Sequence, residues 1–216
     1  MGSIPEQEKY IMLVRSEDKS KYDLDKLFLR FDKNCQTLEV KTDTSGQAAT
    51  CLLAQEYISK RSEAFITSCD YRVIYNKSRW NDVMEDLSID GAIWVTRTGS
   101  IPVKNPESFA YCKAESDGTI TEIVEKKLIS DSPNCDALVV GTFWYRKASD
   151  FILAANHTIE NDITVNGEHY VGTSINYLIS LGKKFVIFEV DKWISFGDPF
   201  ELRVFEYWED YLTKLE

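Results

Sequence analysis

Residues 9–14, Lys-Tyr-Ile-Met-Leu-Val, form an apolar run with the length of a fully buried strand. A charged turn follows. From 23 to 31, Leu24, Leu27, Phe28 and Phe31 return at helical spacing behind acids in the first turn, which predicts a helix. Leu38 and Val40 suggest a second strand, and Gly46 opens an Ala/Leu-rich helical stretch over 47–58. Residues 64–69 read as a strand, with an aspartate, Asp70, just beyond its end. A helix is predicted near 80–87, followed by four closely spaced strands at 91–97, 108–114, 120–127 and 137–146, with Asp117-Gly118 as a hairpin turn. Helices over 148–159 and 173–180, a late strand at 184–190 and an amphipathic helix over 201–215 complete the chain. Early strand–helix alternation followed by a strand-rich insertion predicts one α/β domain, 1–216, on a mixed sheet flanked by helices.

At 216 residues and 44% hydrophobic content, with Trp 5, Tyr 11 and Phe 11, the chain can bury a sizeable core. A formal charge of −10 argues against a sequence-independent grip on nucleic acid, which needs clustered Lys and Arg. A phosphorylated ligand must then be held locally, by a cation, a lysine or backbone N–H groups. No apolar run is long enough to span a bilayer. Five scattered cysteines without a C-x-x-C pair or a signal peptide fit reduced thiols and a cytoplasmic location.

Four places carry candidate chemistry. Asp70 sits where ligands of α/β sheets collect, outside the carboxyl end of a strand, and its carboxylate suits Mg²⁺; a turn or capping aspartate is the plainer reading. Gly46 precedes a helix, where backbone N–H groups suit a base or phosphate, although ordinary capping also explains it. Glu125, Lys126 and Lys127 end a strand; Glu can accept from hydroxyls and Lys can act as a point charge on phosphate, but a solvated strand end has the same pattern. His169, within Asn166-Gly-Glu-His-Tyr170, has no Ser or Cys nucleophile motif beside it and reads as a packed or exposed histidine.

The order of these signals carries more than any one of them. Thr44-x-Gly46-x-Ala48-x-Thr50 plus a helix, a strand ending in Ser68-x-Asp70, Val124-Glu-Lys-Lys127 and Val140-Gly-Thr-Phe-Trp-Tyr145 come in register. The later Asn166-Gly-Glu-x-Tyr170, Ser174-Ile-Asn-Tyr-Leu-Ile179 and Gly197-x-Pro199-x-Glu201-Leu202 extend the pattern over nearly all of 9–207. Together they resemble the sugar-phosphate nucleotidyltransferases, the capsule-polysaccharide type most of all. The resemblance implies a GT-A-like fold with a mainly parallel central sheet. It also implies transfer of a nucleoside monophosphate from a nucleoside triphosphate to a sugar 1-phosphate or similar substrate, with Mg²⁺ and release of pyrophosphate. Carried over by position, Asp70 would hold the metal and serve catalysis with Lys126. Gly46 would lie against the base, while Glu125, Gly141, Glu168 and Asn176 would line the substrate site.

Two departures stand beside the matches. The family's first strand and Gly-x-Gly-x-Arg loop have no counterpart, since Met1-Gly-Ser-Ile-Pro5 leads into what resembles its second strand; the fold is therefore expected to be truncated at this end. The second metal-binding acid is replaced by Ser195, with Asp191 and Asp198 as nearby substitutes. A strand edge left open in this way would favour a homo-oligomer or a completing partner chain. The competing readings are a catalytically silent sugar-phosphate-binding or interaction module and a related glycosyltransferase; the lack of an Asp-x-Asp pair counts against the latter.

Overall fold

The computed structural model describes residues 4–99 and 103–214. Its first unit is β1 (Tyr10–Arg15), α1 (Ser16–Tyr22), α2 (Leu24–Phe31) and β2 (Cys35–Val40), with β1 and β2 paired in parallel. The stretch read as a charged turn is helical: Glu17 and Asp18 lie in the first turn of α1 and Lys19 and Lys21 in its last, each sign at the end the helix dipole favours. Asp23, at φ 48°, turns the chain from α1 into α2.

Helix α3 (Gln47–Leu52) stops short of the predicted 58. Leu53 N–H donates to the Thr50 carbonyl and Ala54 N–H to Cys51, three-residue bonds that tighten and end the helix before a 3₁₀ turn at Gln55–Tyr57. Strands β3 (Ala64–Thr67) and β4 (Tyr71–Ile74) flank the Asp70 turn, and α4 (Lys77–Glu85) is capped by the Asn76 side chain, which accepts from Arg79 N–H. Then come β5 (Gly91–Thr96), β6 (Ala110–Ala114), β7 (Ile120–Glu125), β8 (Ala137–Tyr145), α5 (Ala148–Glu160) and α6 (Val171–Ser180). The chain ends with β9 (Phe185–Glu189), β10 (Lys192–Ser195) and α7 (Pro199–Thr213); position 215, where the last predicted helix was to end, lies outside the described residues.

The main sheet has six strands in the order β7-β6-β8-β5-β9, with β3 on the edge of β8 opposite β5. Strands β3, β5, β6 and β9 run one way and β7 and β8 the other. Most strands therefore share a direction, yet only the β5–β9 ladder is parallel, because β8 runs antiparallel between β5 and its other neighbours. Strand alternation sorts the core onto two faces. Ile93, Val95, Phe143, Tyr145 and Phe185 meet α5 and α6, while Trp94, Trp144, Val186 and Phe188 meet α4. On that second face Trp80 lies 5.5 Å from Phe65, 5.2 Å from Trp94 and 5.0 Å from Phe188 between ring centroids. Arg146 ties the layer together by donating to the carbonyls of Met84, Asp86 and Ile89 at the end of α4.

Candidate functional site

A cleft of about 350 Å³ opens where β3, β7 and β8 meet the β4–β10 ribbon. Four of the residues singled out by sequence line it together: Asp70, Glu125, Lys126 and Gly141. Each is placed by a different local device.

Asp70 stands in the turn between β3 and β4. Its carbonyl accepts from Phe196 N–H at 2.6 Å, so β10 holds the turn from the far side. The next residue, Tyr71, pairs with Ser195 in the β4–β10 register, and its hydroxyl bonds the Thr67 and Thr142 side chains across the mouth of the sheet. Burial raises the Tyr71 pKa, with those two hydroxyls pulling it back, so it stays a neutral anchor. The exposed Asp70 carboxylate itself accepts no hydrogen bond among the described residues. The two other acids near this end are engaged. Asp191 pairs with Arg79. Asp198 caps α7 through Phe200 N–H at 2.7 Å and pairs with Lys104 at 2.8 Å, contacts that hold its carboxyl below the ordinary value. Among the described residues no group of three or more His, Cys, Asp or Glu side chains is arranged to hold a metal.

Gly141 supplies the break that opens the cleft floor. Between Ile93↔Phe143 and Val95↔Val139 the register shifts, so β8 uses two more residues than β5 over this span. Gly141 takes φ +93° there, and a Cβ on it would stand 2.7 Å from Ser68 Oγ. Side chains are poorly tolerated at that φ.

Glu125 ends β7 against the start of α6; a Cβ on Gly172 would reach within 2.3 Å of its Oε1. Burial pushes its carboxyl up to about 7, against the opposing pull of the Lys126 ammonium. Lys126 follows at φ 54°, with its N–H on the Phe109 carbonyl at 2.9 Å. That left-handed turn swings its ammonium onto the Ser108 carbonyl and 5.4 Å from the centre of the Tyr170 ring. Tyr170 donates to Glu168, so Glu168 reaches the cleft through the tyrosine.

The remaining sequence candidates lie outside the lining. Gly46, at φ +127°, packs on the backbone of His169, where a Cβ would be 2.5 Å from the amide nitrogen. His169 N–H donates to Ser45 carbonyl and Ala48 N–H to His169 carbonyl, so the glycine makes a backbone clamp that brings Gln47 to the cleft. His169 is buried, with Nδ1 on the Ile163 carbonyl, as a packed histidine. Asn176 spends its amide on β7: it donates to the Ile123 carbonyl and accepts from Ile123 N–H, both at 2.8 Å. Sequence reasoning did not single out Trp193 and Phe109, whose rings meet edge to face at 5.7 Å on the apolar wall, or Tyr170 as a cleft residue. The alternation of Trp193 and Ser195 along β10 is the signal that could have found the first.

No family model matches the chain, and no curated protein matches it in sequence. Solved structures do. A nucleoside-diphosphate-sugar pyrophosphorylase from Vibrio cholerae is 20% identical, with TM-score 0.70, over 91% of this chain and 80% of its own. The inositol-1-phosphate CTP transferase of T. maritima is 15% identical, with TM-score 0.68, over 92% of this chain and 75% of its own. A UDP-glucose pyrophosphorylase complexed with UDP-glucose is 14% identical, with TM-score 0.67, over 95% and 81%. The chain has the mixed α/β fold of these nucleotide-sugar pyrophosphorylases and sugar-phosphate nucleotidyltransferases.

Proposed function

We propose that this cleft transfers a nucleoside monophosphate from a nucleoside triphosphate to a sugar 1-phosphate or a similar small phosphorylated acceptor, releasing pyrophosphate. The observation that carries the reading is the meeting of Asp70, Glu125, Lys126 and Gly141 in one cleft, from turns far apart in sequence. Glu125 and Lys126 divide the acceptor between them. With its carboxyl near half-protonation at neutral pH, Glu125 both donates to and accepts from a hydroxyl, and Lys126 places a point charge on the acceptor phosphate. Apolar walls, Val139, Phe143 and Trp193, limit water around these polar contacts and strengthen them. The acceptor phosphate oxygen attacks the α-phosphorus and the pyrophosphate oxygen leaves; the protein contributes position and charge, with no covalent intermediate.

Mg²⁺ takes hard oxygens, often only one or two from protein carboxylates and the rest from phosphates and water. The donor set beside the cleft fits that minimal share: Asp70, whose carboxylate accepts no hydrogen bond among the described residues, with Ser195 lining the same cleft. Asp70 would hold the ion, and the ion would supply neutralisation of phosphate charge. Capsule or other surface-polysaccharide precursors are the products this reading favours.

A second reading rests on the ion pair of Asp191 and the cap and ion pair of Asp198, which leave Asp70 as the unpaired aspartate among the described residues beside β10: a silent module that binds a sugar phosphate without turning it over. Pyrophosphate release with Mg²⁺, each nucleoside triphosphate and a panel of sugar 1-phosphates separates the two. Transfer predicts turnover with at least one pair, reduced about 100-fold or more in Asp70→Asn. Absence of turnover with every pair, while a sugar phosphate still binds, leaves the silent module standing.

A further inference from the structure

The Glu125 carboxyl is seated by what a neighbouring residue lacks. Gly172 is the second residue of α6 and is buried. Glycine is a poor helix former, and the backbone does not call for it here, because its φ lies outside the left-handed region. Space does. A Cβ at this position would stand 2.3 Å from Glu125 Oε1 and 3.0 Å from Ile123 Cγ2. The carboxyl therefore occupies the volume that any other residue at 172 would fill with its own side chain.

From that seat Glu125 has no partner within the chain. Its carboxyl makes no hydrogen bond or ion pair among the described residues, although it is half-buried, and polar groups in such places are normally satisfied. Helix α6 offers it no Lys, Arg or His. The titratable groups that face it are the Lys126 ammonium, which pulls its pKa down, and the Tyr170 phenol and Cys112 thiol, whose own pKa values it raises. Burial outweighs the ammonium and brings the carboxyl to about 7. Its bonding capacity is left for whatever enters the cleft that Glu125 and Lys126 line together.

We propose that Gly172 is a positioning residue of the acceptor site: the absence of its side chain draws the Glu125 carboxyl back against the first turn of α6, and that depth leaves room beside Lys126 for a phosphorylated acceptor. The acceptor's identity rests on the nucleotidyl-transfer reading; the seat does not. A larger residue at 172 would push the carboxyl forward into the cleft, where water favours its charged form. A carboxylate there would repel the acceptor phosphate.

Carbon-13 NMR of protein labelled at the glutamate δ-carbon reads the seat directly, with the Glu125 resonance identified by its loss in Glu125→Gln. Wild type should titrate near 7, and Gly172→Ala should lower that midpoint by about one unit or more. In pyrophosphate release with an acceptor from the sugar 1-phosphate panel, the same variant should raise the acceptor KM about tenfold or more. The kcat and the triphosphate KM should change less than about threefold. If Gly172→Ala does not fold, the same substitution placed in Glu125→Ala should fold and melt as Glu125→Ala does, because the carboxyl it would strike is gone. Three results overturn the proposal: an unchanged Glu125 midpoint in Gly172→Ala; an acceptor KM that is unchanged or rises only as far as the triphosphate KM; or failure of the double variant to fold where Glu125→Ala folds. Absence of wild-type turnover with every acceptor would fail the nucleotidyl-transfer reading, and the midpoint would still decide the seat.

Discussion

Glu125 is where a single residue's chemistry is most exposed to test. Burial raises its folded-state pKa to about 7 from an ordinary value of 4.5. Between those values the folded state binds the proton more tightly than the unfolded chain. Stability is therefore fully present below about 4.5 and is lost as pH rises through 7. The loss is about 3 kcal/mol, at about 1.36 kcal/mol per pH unit between those values. Thermal denaturation should show wild type losing ground to Glu125→Gln as pH goes from 5 to 8, and a constant difference would contradict the buried-carboxyl account. Gly46 makes a purely steric prediction. A Cβ there meets His169 backbone at 2.5 Å, and backbone cannot swing aside as a side chain can. Gly46→Ala should destabilise by about 2 kcal/mol or more in urea titration, with the Gln47 side of the cleft disturbed as well. The glycine was legible in the sequence as a special backbone position; that it presses on a peptide group 123 positions away, Gly46 on His169, was not, because the contact depends on tertiary placement.

At the scale of elements, Asn176 and Arg146 show side chains used as structural ties. Asn176, on α6, completes the backbone pairing of Ile123 on β7 in both directions. Asn176→Ala strands one donor and one acceptor, costing about 2–3 kcal/mol by denaturant unfolding. Affinity of the remaining folded protein for a sugar phosphate should change less than threefold; a larger change would return Asn176 to the substrate. Arg146 closes α4 with three carbonyl contacts, and Arg146→Ala should cost about 2 kcal/mol or more by the same measurement. Long, periodic elements were readable from pattern: β5, β8, α5 and α6 fall near their predicted spans. Two short ones were missed: the four-residue strands β4 and β10 pair with each other, and segments of that length carry too few residues to establish a period. The expected mixed sheet is present, with β3, β5, β6 and β9 sharing a direction; its neighbouring pairs are largely antiparallel because β8 runs against them, and a strand's direction follows from its connections, not from its own residues.

Across the whole molecule, the motifs of Ser68-x-Asp70, Glu125-Lys126 and Gly141 converge on one end of the sheet, which their order along the chain foreshadowed. Glu168 and Gly46 lie one contact away, beside Tyr170 and Gln47 of the lining. The apolar wall of Trp193 and Phe109 was hidden because aromatics are frequent here and most of them serve the core. No helix among the described residues is long and apolar enough to cross a membrane. Phosphorus NMR of the protein with Mg²⁺, nucleoside triphosphate and sugar 1-phosphate tests the central claim most directly. The account predicts loss of the triphosphate signals, growth of free pyrophosphate and a new pair of coupled diphosphate resonances from the nucleotide sugar. An unchanged triphosphate beside a sugar-phosphate resonance broadened by binding would contradict it.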